Sequence, residues 1–154
     1  MSLREQGHSH VIFGDIDLQA HRNWLEPVCG RASLEAVIPL WNRRRRDVAH
    51  EIIDRGIRAD VVCVDTSRIN ASFCGLPYDV HFLAHLPATV CPCGGDGEFH
   101  TFVWDAPGFA RPLLISPGPL IRVPSRPPLA PTELAFAVPS LSKPRFAGQT
   151  NAAP

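Results

Sequence analysis

Apolar and polar residues follow two different textures along this chain. The run HVIFGD at 10–15 is a short apolar stretch ending in Gly14 and Asp15, the pattern of a strand covered on both faces. A helical segment follows. Asp17 is placed to cap it, Leu18, Trp24, Leu25 and Val28 give it a rough apolar stripe, and Pro27 is expected to break or restart it. EAVIP at 35–39 predicts a second strand, leading into Leu40, Trp41 and Asn42. Asn42 is placed to cap a helix whose face is Val48, Ile52 and Ile53 and which Gly56 stops. ADVVCVD at 59–65 predicts a third strand. Strand, helix, strand, helix, strand at this spacing implies right-handed crossovers and a parallel sheet. A short helix over 79–86 and a period-two strand over 98–105, the latter in a second, partly antiparallel unit, complete the ordered part.

Beyond Pro107 the texture changes. Counting Pro107 itself, eleven of the 16 prolines fall there, with Glu133 as the single acid. Proline removes a backbone donor and fixes φ, which argues against an interior strand or a long helix. Residues 117–154 are therefore expected to be a largely unstructured, proline-rich tail, with 113–116 and 134–138 as the strand candidates. The predicted class is α/β: part of a parallel sheet in residues 1–66, a smaller α+β unit in 67–116, then the tail.

Composition narrows the partners. Fifteen basic and 15 acidic residues give zero formal charge, which removes the long-range attraction that nucleic-acid binders use. No run approaches the ~18–20 apolar residues of a bilayer span, and the N-terminal MSLREQGHSH has no apolar signal core. Neither nucleic acid nor a membrane is expected as a partner, and a cytoplasmic location is. The five cysteines, an odd number with no export signal, are expected to be reduced thiols.

Candidate chemistry concentrates in two places. In an open parallel sheet ligands bind beyond the carboxyl ends of the strands, so Asp15, Trp41 and Asp65 should share a crevice, unless they are caps and packing residues. The denser signal is CPCGGDGEFHT at 91–101. Its glycines permit positive φ and close approach of a ligand to the main chain. Period two then puts Glu98 and His100 on one face with Thr101 on the other, an acid and an imidazole able to orient or deprotonate a nucleophile. The glycines precede a strand rather than a helix, so this is not a phosphate loop. Metal binding by Cys91, Cys93 and His100 is disfavoured by the Cys-x-Cys spacing. His81 and His85 share a helix face without the glutamate of a zincin motif, which favours surface histidines. The arginines at 43–46 open a helix, where cations are disfavoured, so they are solvated or have acids close by.

Taken in order, GDI at 14–16, PLW at 39–41, VD at 64–65, FCG at 73–75, CGGDGEFHT at 93–101 and APGF at 106–109 resemble the diphthine–ammonia ligase family, ATP pyrophosphatase-type proteins of the adenine-nucleotide alpha hydrolase-like group. The likeness covers roughly 11–112. It implies a HUP-type, Rossmann-like parallel nucleotide domain followed by a substrate domain carrying GEFHT. It further implies an ATP-dependent amide ligase, using ATP and Mg²⁺, that adenylates a carboxylate and lets ammonia displace AMP. By this likeness Glu98 and His100 are catalytic, Gly14 and Asp15 lie near the nucleotide, and Trp41, Cys93, Gly94, Gly97 and Thr101 lie near a small-molecule or protein carboxylate substrate. Two departures stand out. The family's N-terminal SGGKDS loop is not found, which suggests a truncated member that is unstable alone, self-associates, or needs an N-terminal partner carrying that loop. Gly95 also stands where the family has Glu. The alternatives are a non-catalytic remnant or accessory binding domain, and a sulfur carrier using Cys91 or Cys93.

Overall fold

β1 (His10–Ile12) and β2 (Glu35–Val37) pair in parallel, His10 opposite Glu35 and Ile12 opposite Val37. The helix α1 (Gln19–Arg31) connects them, burying Leu25 and Cys29. These elements belong to the first of two units that divide between Ala49 and His50 in the computed structural model, which describes residues 2–126 and 131–141. Pro27 does not break α1. It costs the helix a hydrogen bond, but the buried positions Leu25 and Cys29 flank it and the helix runs through. Nor does Asp17 cap α1: the N-cap is Leu18 without a side-chain bond. Asp17 instead takes a two-point ion pair from Arg45, at 2.9 and 2.7 Å. The hydrogen bond from Arg45 lowers the Asp17 pKa, against a smaller opposing effect of desolvation. Arg44 pairs with Asp47 at 2.8 Å, so acids do lie close to the arginine run. Asn42, at φ 59°, precedes α2 (Arg45–Asp54) without being its immediate flank.

The second unit is built on β3 (Arg58–Asp65), and here the expected single parallel sheet is corrected. β3 does not join β1 and β2. It lies antiparallel between β4 (Phe99–Asp105) and β7 (Glu133–Ala137), with β6 (Leu120–Pro124) beyond β7, in the order β4-β3-β7-β6. The molecule is therefore mixed α/β, with parallel pairing confined to β1 and β2. The tail expectation is also corrected where residues are described: the strand candidate at 134–138 is borne out as β7, but inside the sheet, and β6 is a further strand from 117–154. β7 lies inside the sheet since its prolines, Pro131 and Pro139, flank it rather than interrupt it. β6 sits at the edge, where its terminal Pro124 leaves no interior donor missing. β5 (Ile115–Ser116) and β8 (Ser140–Leu141) form a further antiparallel pair. Between them Gly118 lies so close to the Val138 carbonyl that a Cβ would overlap it. Residues 127–130 and 142–154 of the expected tail lie outside the described residues.

The sheet has two unlike faces. One cross-strand row runs Phe99, Val64, Ala135, and all three are buried. The helix α3 (Val80–His85), capped by Asp79 accepting from the Phe82 amide at 2.8 Å, covers this face. Phe99, Phe82, Tyr78 and Phe73 make a chain of ring contacts with centroids 5.2–6.1 Å apart. The adjacent row, His100, Cys63, Phe136, points to the opposite face, which is open. No helix among the described residues is long and apolar enough to cross a membrane.

Candidate functional site

The open face floors a cleft of about 680 Å³. Val62 and Cys63 of β3, His100 of β4, and Leu134, Phe136 and Ala137 of β7 form the floor. Asp65, Arg68, Asp96, Gly97 and Thr132 stand at one end, and Val138 and Pro139 lie toward the other. β3 carries an extra residue here: Val61 faces Thr101 and Cys63 faces His100, leaving Val62 between them as a bulge.

At the polar end Asp65 is the organising group. Its Oδ1 accepts from the Ser67 amide at 2.9 Å, from the Ser67 hydroxyl at 2.7 Å, and from the Thr132 hydroxyl. Burial acts to raise its pKa, but these hydrogen bonds and the nearby Arg68 outweigh it, and the carboxyl is held below its ordinary value. Arg68 Nε stands 4.0 Å from Asp65 Oδ2, and its Nη1 donates to the Asp96 carbonyl at 3.0 Å, tying β3's end to the glycine loop. Burial, then Cys74 and Asp65, push the Cys63 thiol upward, so it lines the floor as an apolar SH group.

The expected Glu98–His100 pair does not form. His100 lines the cleft, whereas Glu98 is 3% exposed and does not. The strand begins at Phe99, so its alternation does not extend back to Glu98. The Glu98 side chain turns into the loop, where Oε1 accepts from the Cys91 amide at 2.8 Å and Oε2 from the Asp96 amide at 3.0 Å. It holds the loop's shape instead of facing a ligand. The loop needs its glycines: Gly94 has φ +63° and a Cβ there would strike the Phe99 carbonyl, while Gly97 has φ +82°. Gly97 reaches the cleft; Gly94 packs on Phe99. Cys91 is buried, Cys93 is half-buried, and neither lines the cleft. Thr101, opposite Val61, lies outside it. Among the described residues no three His, Cys, Asp or Glu side chains gather to hold a metal ion.

Asp15 and Trp41 belong to the first unit and Asp65 to the second. β3 is not a strand of the β1–β2 pair, so the rule that places ligands at the ends of parallel strands does not apply to Asp65. Asp15 Oδ1 lies 2.7 Å from His21 Nδ1, beside a smaller hollow of about 290 Å³ shared with Trp24 and Leu25. Gly14 has open space where a Cβ would stand, but Asp15 brings a negative charge, and the hollow's lining offers no cationic side chain other than a protonated His21. These residues alone do not fit a triphosphate. The Arg22 guanidinium stands 4.9 Å above the Trp41 ring. Sequence reasoning missed Arg68, Asp96 and Thr132. Thr132 reaches Asp65 across 67 residues from the segment set aside as tail.

Residues 44–118 match the diphthamide synthase C-terminal domain family. Among curated proteins the chain is similar to the diphthine–ammonia ligase of Bos taurus, 29% identical over 110 residues, which covers 68% of this chain and 41% of that protein. It is similar to the diphthine–ammonia ligase of Danio rerio, 28% identical over 120 residues, 73% of this chain and 47% of that protein. The chain thus spans less than half the length of these relatives. The matched stretch carries β3, α3, the glycine loop and β4, and with them the His100 side of the cleft. Over residues 44–118 the chain is thus similar to the diphthamide synthase C-terminal domain family.

Proposed function

We propose that the cleft over β3, β4 and β7 is the substrate pocket of an ATP-dependent, amide-forming ligase of the diphthine–ammonia ligase type. The observation that supports this most directly is that the family match and the cleft coincide: Val62, Cys63, Asp65, Arg68, Asp96, Gly97 and His100 all lie within 44–118. In this reading a HUP-type nucleotide domain and ATP with Mg²⁺ serve carboxylate activation. The described residues around Gly14 and Asp15 do not supply the phosphate site, so this chain's part is on the substrate side. Arg68 and Asp65 orient polar substrate groups, His100 takes or gives a proton at the cleft, and Leu134 and Phe136 exclude water from the reacting end.

The test is AMP formation from ATP and Mg²⁺ with ammonium and a panel of small and protein-borne carboxylates, using the whole chain supplemented with a separate HUP-type nucleotide domain. The expected result is carboxylate-dependent AMP formation that falls at least ten-fold in Arg68→Ala while thermal unfolding is unchanged. AMP formation that is absent, or indifferent to Arg68, would overturn the assignment. A second reading, a non-catalytic binding domain, is favoured by the use of Glu98 in the loop's own hydrogen bonds. It expects ligand binding in the cleft with no AMP.

A further inference from the structure

The lining of the cleft selects among the reactants of an amide-forming step. The residues lining its polar end include Asp65, Asp96 and Arg68, the last meeting Asp96 at its main-chain carbonyl, so before His100 is counted their formal charges sum to one negative. Asp65 is also asymmetric. Oδ1 takes three donors, whereas among the described residues Oδ2 has only the 4.0 Å approach of Arg68. Thr132 spends its hydroxyl proton on Asp65 and turns lone pairs to any further partner. Charge and hydrogen-bonding capacity therefore agree on a cationic donor. The floor beyond, Leu134, Phe136 and Val138, is apolar and suits a hydrocarbon body.

We infer that the cleft binds an amphipathic primary amine as its ammonium, with the nitrogen at Asp65, Thr132 and His100 and the carbon chain over Leu134 and Phe136. The inference rests on the ligase reading above and assigns the nitrogen nucleophile of its amide-forming step to an alkylamine in place of ammonia. A primary ammonium matches because each acceptor receives an N–H. A quaternary ammonium has none to give, and its recognition uses several Trp, Tyr or Phe faces, whereas among the described residues Phe136 is the one such ring that lines the cleft. A proton passing from the ammonium to the His100 imidazole would leave the lone pair on nitrogen, as a nucleophilic amine requires.

The test compares three ligands of one chain length on the whole chain by calorimetry: hexylamine, hexanoate and hexyltrimethylammonium. Hexylamine should bind, the other two at least ten-fold more weakly, and Asp65→Asn should weaken hexylamine at least ten-fold. The ligand comparison uses the unaltered chain and stays decisive if the variant fails to fold. Tighter binding of hexanoate would overturn the amine assignment and leave the ligase reading with a carboxylate pocket. Tighter binding of hexyltrimethylammonium would overturn the N–H match. Binding of none would overturn both this inference and the substrate-pocket reading.

Discussion

The two faces of the β4-β3-β7-β6 sheet are made from alternate residues of the same strands, yet one is closed and the other open. Val64, Phe99 and Ala135 are buried under α3 and its aromatic neighbours, while Asp65, His100 and Phe136, each one step along, line a cleft. A period of two makes such a division possible, because neighbouring residues on a regular strand point to opposite faces. What differs is the cover. The closed face recruits Phe73, Tyr78 and Phe82 from the segment after β3, whereas among the described residues the open face is bordered by loop residues that reach only its ends. Stability should therefore reside on one side of the sheet and ligand binding on the other.

The largest expected effect tests the closed face. Phe99 is 3% exposed, with ring contacts to both Tyr78 and Phe82. Phe99→Ala should cost about 3–5 kcal/mol, since a cavity remains where the ring stood. Phe136→Ala removes the same ring from the half-exposed open face and should cost about 1–2 kcal/mol. Urea unfolding of the two variants measures the difference. Equal losses would mean that the open face is as much a core as the closed one.

How far this division was legible in the sequence depends on distance along the chain. Strand positions were readable wherever apolar words were short and bounded: 59–65 anticipated β3 within one residue, and 98–105 anticipated β4. Asp79 was readable as the start of α3 because a cap is a local matter. Direction of pairing was not local. β3 follows a helix just as β2 does, and only its pairing with β7, some 70 residues away, makes it an antiparallel centre strand. Proline density hid β6 and the interior place of β7, because it counts prolines without saying whether they interrupt a strand or flank it. At the site, His100 was picked as an imidazole on a period-two strand, and Asp65 from its place at a strand end, by a parallel-sheet rule that does not apply to β3. Glu98 was misplaced because the alternation was carried one residue past the start of the strand.

Glu98 lies in the glycine loop that leads into β4 and gives the next effect in size. Glu98→Gln replaces one acceptor oxygen with an NH₂ group pointing at a backbone donor, so either the Cys91 or the Asp96 amide loses its partner. The expected cost is about 1–3 kcal/mol. The glycine loop carries Asp96 and Gly97 to the cleft rim, so ligand binding should weaken as well, and Glu98→Asp, too short to span both amides, should not restore it. A variant with wild-type stability would show that the loop's shape does not depend on this side chain.

Asp65 separates the faces by pH. Its folded-state pKa is depressed, so the stability it adds is present above its unfolded value of about 3.9 and disappears as the pH falls through the lower folded value. Asp65→Asn should cost about 1 kcal/mol at pH 7, and the penalty should shrink toward zero under acid conditions. Urea midpoints for the two proteins from pH 7 to pH 2 should converge. Asp17, depressed by its hydrogen bond from Arg45, adds a similar acid sensitivity in the first unit, and this is common to both proteins and cancels in the comparison.

The smallest stability effect is expected at His100, and its smallness is the point. The side chain is exposed on the open face, and its direct cross-strand neighbour, Cys63, lies lower on the same floor. Removing an exposed side chain from a strand position usually shifts stability by no more than about 0.5 kcal/mol. His100→Ala should therefore unfold within that margin of wild type while losing ligand affinity at the cleft. His100→Gln, which keeps a hydrogen-bonding carbonyl but cannot take up a proton, should recover affinity and not turnover. If His100→Ala unfolds several degrees early, the imidazole is supporting the sheet, and the separation of structural from ligand-facing residues fails at the position where it should be clearest.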